Sequence, residues 1–229
     1  MKINILQLID GAKQAKGLTV IIDVFRAFTV EAYLMNNNAK TIIPVADKKL
    51  ACRLKEENPE YILIGERGGA MLPGFDYGNS PFQIKERDFS GKTIVHTTSA
   101  GTQGFENAKN STELLTGSLV NAKAIATYIK KQNPSEVSLV CMGLDAIYET
   151  EEDTFCAEYI KAMIMGESYG IEQKIESLKY TAGAKFFDDK LKEIFPKEDF
   201  FLSTEVNIFN FVLKLKNVSD LSYIEKIDV

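Results

Sequence analysis

The sequence predicts an α/β fold: a parallel or mixed sheet flanked by helices on both faces, with two lobes admitted and the functional site in a cleft. Three observations predict it. Four apolar, β-branched runs, at residues 19–22, 61–64, 93–95 and 137–141, have the length of strands and not of helices. They are apolar at nearly every position instead of alternate ones, as in strands buried on both faces. Helix-length segments separate them, and alternation of strand and helix builds a sheet covered on both sides.

The elements follow in order. Residues 3–8 alternate weakly and suit an edge strand. The strand at 19–24 leads into 26–36, where Phe28, Val30, Ala32, Tyr33 and Leu34 suit a helix ending at Asn36-Asn37-Asn38. Residues 40–45 are strand-like and break at Pro44, after which Asp47 caps a helix through Lys55. The strand at 61–64 precedes a long, glycine-rich irregular stretch from 65 to 80. A short helix at 82–87, a strand at 93–96, a helix at 101–109 and a short strand at 113–116 come next. Ser118 or Asn121 starts a helix through Lys131, which Asn133-Pro134 ends. A seam between lobes would fall at 131–135 of what is otherwise expected to be a single α/β domain, 1–229. After the strand at 137–141, residues 151–165 form an amphipathic helix with Phe155, Tyr159, Ala162 and Met163 on one face. Helical pieces at 172–178 and 184–194, a Phe-rich segment at 200–215 and a strand at 223–227 complete the chain.

Composition removes several function classes. The net charge is -5 and no concentrated Lys/Arg block exists, so neither nucleic acid nor an anionic membrane surface is an expected partner. No apolar stretch approaches the roughly 20 residues of a membrane span. The start of the chain lacks a continuous apolar region and a cleavage site. Cys52, Cys141 and Cys156 cannot all pair, which suits a reducing cytoplasm. The expected partner is a small anionic molecule, and a homodimer is admitted.

The chemistry sits where the strands stop, because ligands of open α/β sheets bind beyond the carboxyl ends of the strands. Asp23 ends an apolar strand and Arg26 follows; the carboxylate suits Mg²⁺, or else caps the next helix or pairs with Arg26. Glu66-Arg67-Gly68-Gly69 puts an acid and a base beside glycines, which allow close backbone approach, and the arginine fork matches phosphate or sulfonate oxygens. The loop 74–81 is long for a compact domain, which marks it as functional. Thr97-Thr98-Ser99-Ala100-Gly101-Thr102 offers hydroxyls and amides where a helix begins, a place suited to phosphate as well as to an N-cap. Within the acidic run 149–154, compensation of the helix dipole accounts for most of the charge; Asp153-Thr154 is left as a second metal or base candidate. The fourth strand end, Met142-Gly143-Leu144-Asp145, is the weakest and receives no catalytic residue.

Familiar alternatives fail. Gly91-Lys92-Thr93 lacks the first glycine of a phosphate-binding loop, Glu86 standing there, and precedes a strand. None of the three cysteines is followed six residues later by arginine, and Asp23-Val24-Phe25 lacks a second aspartate. The single histidine, His96, lies inside a strand pattern and is expected in the core.

Six blocks in order resemble the ComB family of 2-phosphosulfolactate phosphatases. They are Asp23-Val24-Phe25-Arg26-Ala27, Gly65-Glu66-Arg67, Gly74-Phe75-Asp76-Tyr77-Gly78-Asn79-Ser80-Pro81, Thr98-Ser99-Ala100-Gly101-Thr102, Gly117-Ser118-Leu119-Val120-Asn121-Ala122 and Glu152-Asp153-Thr154-Phe155-Cys156-Ala157. The chain departs at Ser99-Ala100, where many members carry Thr-Asn, and at Glu158, where glycine is common; after about residue 170 it matches only loosely. The resemblance implies an α/β fold with its site in a cleft. It also implies a Mg²⁺-dependent phosphatase that releases phosphate from 2-phospho-3-sulfolactate, a step towards coenzyme M. On that reading Asp23 and Asp76 hold the ion, and Glu66 and Asp153 are further acidic groups of the catalytic set. Arg26, with Thr98, Ser99, Gly101 and Thr102, receives the phosphoryl oxygens. Asn79 and Ser80 belong to the substrate loop, and Arg67 suits the substrate's second anion. The alternatives are a phosphatase of another phosphorylated organic acid and a non-catalytic binder of phosphorylated or sulfonated metabolites.

Overall fold

The apolar runs become strands because both of their faces are covered. In β2 (Gly17–Ile22) every residue from Leu18 onward is buried, and so is every residue of β8 (Glu136–Cys141) from Val137 and of β6 (Thr93–Thr97) from Ile94. The computed structural model describes residues 1–218 and 221–229. Its ten strands join in one mixed sheet. One half is parallel: β1 (Lys2–Gln7) at the edge, then β8, β2 and β7 (Ser111–Gly117). The other half sets β3 (Thr41–Pro44), β6 and β4 (Ile62–Arg67) in parallel, with β5 (Ala70–Met71) antiparallel at the far edge. A hairpin of β9 (Phe211–Val218) and β10 (Leu221–Asp228) joins the halves, antiparallel to β7 on one side and to β3 on the other.

Register makes the strand ends level within each half. Ile22 lies opposite both Gly117 and Cys141, and Gly65 opposite Thr97. Because the hairpin reverses direction, the two parallel halves run in opposite senses. Strand twist of about 20–25° per step, accumulated over the five steps from β2 to β6, turns the halves towards each other. The carboxyl ends of β2, β4 and β6 thus meet at one place.

Helix α2 (Ala27–Asn36) passes from β2 to β3 with nine of its ten residues buried, which is why its sequence shows no polar stripe. α3 (Lys48–Glu57) begins at the expected cap, where the Asp47 carboxylate accepts the Lys49 N–H at 2.9 Å. α4 (Pro81–Ile84) is a shorter form of the helix expected at 82–87, and α5 (Gly101–Asn107), α6 (Ala122–Gln132) and α7 (Glu151–Met165) fall where the sequence placed them. Among the described residues no helix is long and apolar enough to cross a membrane.

Three segments differ from expectation. A seven-residue helix, α1 (Leu8–Gln14), follows β1 directly. The stretch from 65 is not irregular at first: β4 continues through Arg67, turns at Gly68 and Gly69 and returns as β5. Both glycines have positive φ, 58° and 83°, which a tight two-residue hairpin turn demands. Only Ala184–Phe187 of the 184–194 piece is helical, as a 3-10 turn. The Asp188 carboxylate accepts the Lys190 N–H at 2.9 Å, a local bond that competes with helix continuation. On either side of it, α8 (Ile171–Leu178) and α9 (Lys197–Thr204) pack a small aromatic cluster, Phe186 and Phe200 with Phe25, Phe155 and Phe195, beside the end of β2.

Candidate active site

The converging strand ends enclose a cavity of about 290 Å³ lined by Asp23, Arg26, Glu66, Asn79, Ser99 and Lys185, with Phe25 and Phe195 as its apolar wall. Gly68, Gly69, Ala100 and Gly143-Leu144-Asp145 complete it. The fourth strand end, expected to contribute least, therefore does reach the site.

Asp23 stands one residue past β2. Its Oδ1 accepts the Ala27 N–H at 3.2 Å, so the carboxylate caps α2 while also lining the cavity. Burial pushes its pKa up to about 7, and the carboxylates of Glu66 and Glu152 push in the same direction. The Ala27 and Gly101 N–H groups oppose the rise. Gly101 is tied to this position: a Cβ there would lie 2.9 Å from the Phe28 ring and 3.0 Å from Asp23 Oδ2.

The expected Asp23–Arg26 pair is not made. Arg26 turns to Asp199, with Nη1 2.9 Å from Oδ2 and both side chains almost wholly buried. The same Nη1 donates to the Ile194 carbonyl at 2.9 Å, and Nη2 donates to the Gly69 carbonyl at 2.9 Å. The guanidinium also lies 4.8 Å over the Phe195 ring. Asp199 Oδ1 accepts from Ser80 Oγ at 2.7 Å and from the Phe82 N–H at 3.0 Å. Ser80 is thus an anchor of this network and does not line the main cavity. The Phe25–Arg26 peptide bond is cis.

Glu66 is fixed by the loop opposite. Its Oε1 accepts the Ser99 N–H at 2.7 Å, and Oε2 accepts the Gly69 N–H at 2.7 Å and the Ser99 hydroxyl at 3.2 Å. Gly69 is required here twice over, since a Cβ would come within 2.3 Å of the Phe195 ring and φ is 83°. Arg67 leaves the site: its guanidinium donates to the carbonyls of Glu66 and Ala46, at 2.6 and 2.8 Å, and to Thr97 Oγ1 at 3.0 Å. That corrects the expectation that it meets a substrate anion. Thr98 and Thr102 serve the helix, Thr98 Oγ1 accepting the Thr102 N–H at 3.3 Å and Thr102 Oγ1 donating back to the Thr98 carbonyl at 3.1 Å. Of that hydroxyl cluster only Ser99 lines the cavity.

Asp76 is placed elsewhere. Its carboxylate accepts the Leu63 N–H at 2.8 Å and lies 3.3 Å from Lys55 Nζ, partly exposed on the β4 side and away from the cavity lining. Its role as a metal ligand has no geometric support. Asp153 also stands behind the wall. Its two oxygens accept the Val24 and Gly143 N–H groups, each at 2.8 Å, so it ties the loops after β2 and β8 together. Burial, then Glu152 and Asp23, hold its acid well above the usual carboxylate range.

Asn79 reaches the cavity from the 74–81 loop, and buried groups hold it from behind. Its Oδ1 lies 3.2 Å from His96 Nε2, and His96 Nδ1 lies 3.0 Å from Glu31 Oε1. A carbonyl oxygen only accepts, so Nε2 carries the hydrogen and the Asn79 amide NH₂ is the donor left for the cavity. His96 is in the core, as expected, yet it sets the orientation of a lining residue.

Lys185, Phe195 and Asp199 were not anticipated. All three lie beyond residue 170, where apolar periodicity is weak. The available signal was a charge beside a phenylalanine pair, Lys185-Phe186-Phe187 and Asp199-Phe200-Phe201. Among the described residues no group of three His, Cys, Asp or Glu side chains converges as a ready metal cage. The donor set is nevertheless one of hard oxygens. One Glu152 oxygen is buried without a partner, and the Asp23 pKa is pushed up to about 7 by burial first and by neighbouring acids second. An ion bound mainly through one carboxylate, water and phosphate fits these residues, as Mg²⁺ commonly binds.

Comparison with known proteins points to one family. A family model described as 2-phosphosulpholactate phosphatase matches residues 3–218. A Bacillus subtilis (strain 168) protein named "Probable 2-phosphosulfolactate phosphatase" is 32% identical over 213 residues, 92% of each chain. Proteins of the same name from Caldicellulosiruptor saccharolyticus and Thermoplasma volcanium are 40% and 33% identical. These matches cover 61% and 77% of this chain and 59% and 82% of theirs.

Proposed function

The chain belongs to the 2-phosphosulpholactate phosphatase family, and on that premise we propose that it hydrolyses the phosphate ester of 2-phospho-3-sulfolactate, giving sulfolactate and phosphate, with Mg²⁺. It is a phosphoric monoester hydrolase. The observation that carries the substrate reading is the convergence of β2, β4 and β6 on one small cavity. There the acids Asp23 and Glu66 line the same space as the cations Arg26 and Lys185. A small polyanion fits such a volume and such cations.

Asp23 would hold the ion, with Glu66 and Glu152 adding negative potential and Asp76 taking no part. When bound, Mg²⁺ polarises the phosphoryl group and offsets its charge. The chain's own groups do the rest. The Asn79 amide, aimed by His96, donates to a phosphoryl oxygen. Arg26 has placed three of its hydrogen bonds on Ile194, Asp199 and Gly69, so its fork is pre-oriented before substrate arrives. Glu66 holds the Ser99 and Gly69 amides and so keeps the two facing loops at a fixed separation. Phe25 and Phe195 exclude water from one side. The products are balanced by one water: its oxygen ends on phosphorus, and a proton ends on the C2 oxygen of the leaving acid.

The test is release of inorganic phosphate from 2-phospho-3-sulfolactate with and without Mg²⁺. Ion-dependent release supports the reading. Tight binding of the ester with no release in either condition identifies a binder instead.

A further inference from the structure

Two cations line the cavity, and they are in different states. Arg26 is committed to Asp199 and to two carbonyls. Lys185 takes part in none of the ion pairs or side-chain hydrogen bonds found among the described residues. It sits on the 3-10 turn Ala184–Phe187, half-buried. Its ammonium lies 5.2 Å from the Phe195 ring centroid, 5.5 Å from that of Phe186 and 6.0 Å from that of Phe25. The three rings thus face the ammonium itself, at cation–π distance, where it lines the cavity. Burial lowers its pKa, and the carboxylate of Glu152 is the leading opposing charge. An ammonium at the cavity with no carboxylate or carbonyl partner among the described residues is left to meet an anion that enters.

The position of Lys185 narrows which anion that is. On the reading above Asp23 takes the ion, and Asn79 and Arg26 meet the phosphoryl group. Lys185 stands against Phe25 and Phe195, the cavity's apolar wall, which suits the carbon skeleton of a small ester. The group a cation meets there is an acid carried by that skeleton. Arg67, the residue expected to do this, does not line the cavity and donates to Glu66, Ala46 and Thr97 instead.

We propose that Lys185 is the specificity-determining residue of this site, binding the carboxylate or sulfonate that neighbours the phosphoester. The proposal rests on the phosphatase reading and adds to it which residue selects acidic esters over neutral ones. Loss of one charge-assisted hydrogen bond corresponds to roughly a 10- to 100-fold change.

The experiment compares kcat/KM for three esters, 2-phospho-3-sulfolactate, 2-phospholactate and glycerol 2-phosphate, in wild type, Lys185→Met and Lys185→Arg. The expected result is that the preference for either acidic ester over glycerol 2-phosphate falls about 10- to 100-fold in Lys185→Met, chiefly through KM. In Lys185→Arg the preference is largely restored. An unchanged preference in Lys185→Met, or an equal fall in Lys185→Arg, overturns the proposal. Should Lys185→Met prove unstable by thermal melting, Lys185→Gln is read in its place. If wild type hydrolyses none of the esters, the phosphatase reading fails, and calorimetric binding of 3-sulfolactate then decides the proposal separately. Binding lost in Lys185→Met and kept in Lys185→Arg supports it; binding absent from wild type or equal in all three chains overturns it.

Discussion

Replacing Asp23 with asparagine tests the electrostatics of the site without any substrate. In the folded chain the Asp23 acid is held at about 7, against an ordinary value of 3.8. Between those two values the native state binds a proton that the unfolded state has released. Stability therefore falls as pH rises through that window, and the full penalty is present above it. The difference of 7 less 3.8, at about 1.36 kcal/mol per unit, amounts to on the order of 4 kcal/mol. Asparagine keeps the shape and does not ionise. Urea unfolding with chelator present, from about pH 4 to pH 8, should show Asp23→Asn gaining on wild type with rising pH, by up to that amount. Added Mg²⁺ should stabilise wild type at the upper end and do little for the variant. Parallel pH profiles for the two chains would refute the assignment of a strained, buried carboxylate to Asp23. Equal stabilisation of both by Mg²⁺ would remove Asp23 as the ion's ligand.

Other outcomes follow from the same geometry. Asp199→Ala leaves Arg26 buried without its partner, and such a break costs about 3–5 kcal/mol, measurable as a lower urea midpoint. Loss of turnover should accompany it, because Arg26 is no longer aimed. His96→Leu strips the Asn79 amide of its orienting bond, so KM should rise roughly tenfold, the worth of about one hydrogen bond, while the Mg²⁺ dependence stays as in wild type. A Mg²⁺ titration shifted in that variant would count against the positioning role. Asp76→Asn should leave the Mg²⁺ titration of activity unmoved and change stability by about 1 kcal/mol, as expected for a partly exposed pair with one backbone contact. A large rise in the Mg²⁺ requirement would restore Asp76 as a ligand.

How much of this was legible before the structure varies with the type of signal. Strands β2, β4, β6 and β8 were readable because burial on both faces leaves an unbroken apolar run. The cap at Asp47 and the span of α7 were readable because local chemistry sets them. The sheet order was not: the hairpin that reverses the second half pairs β9 with β7 and β10 with β3 through long-range contacts that have no periodic trace. At the site, position was easier to read than partner. Asp23, Glu66, Asn79 and Ser99 lie at the cavity as their strand ends and loop suggested. Arg67, Thr98 and Thr102 share those segments, yet their polar atoms are taken by nearby backbone and hydroxyl groups, a detail that spacing does not encode. Lys185 and Asp199 come from a segment of turns and short helices, where a charge among phenylalanines was the only cue.

The most direct test of the account is phosphate release from 2-phospho-3-sulfolactate by wild type and by Asp23→Asn, each with Mg²⁺ and with chelator. Wild type should release phosphate with Mg²⁺ alone, and the variant at least a hundredfold less, the order expected when a group acting in the transition state is removed. Release from the variant at the wild-type rate, or release that ignores Mg²⁺, would contradict it.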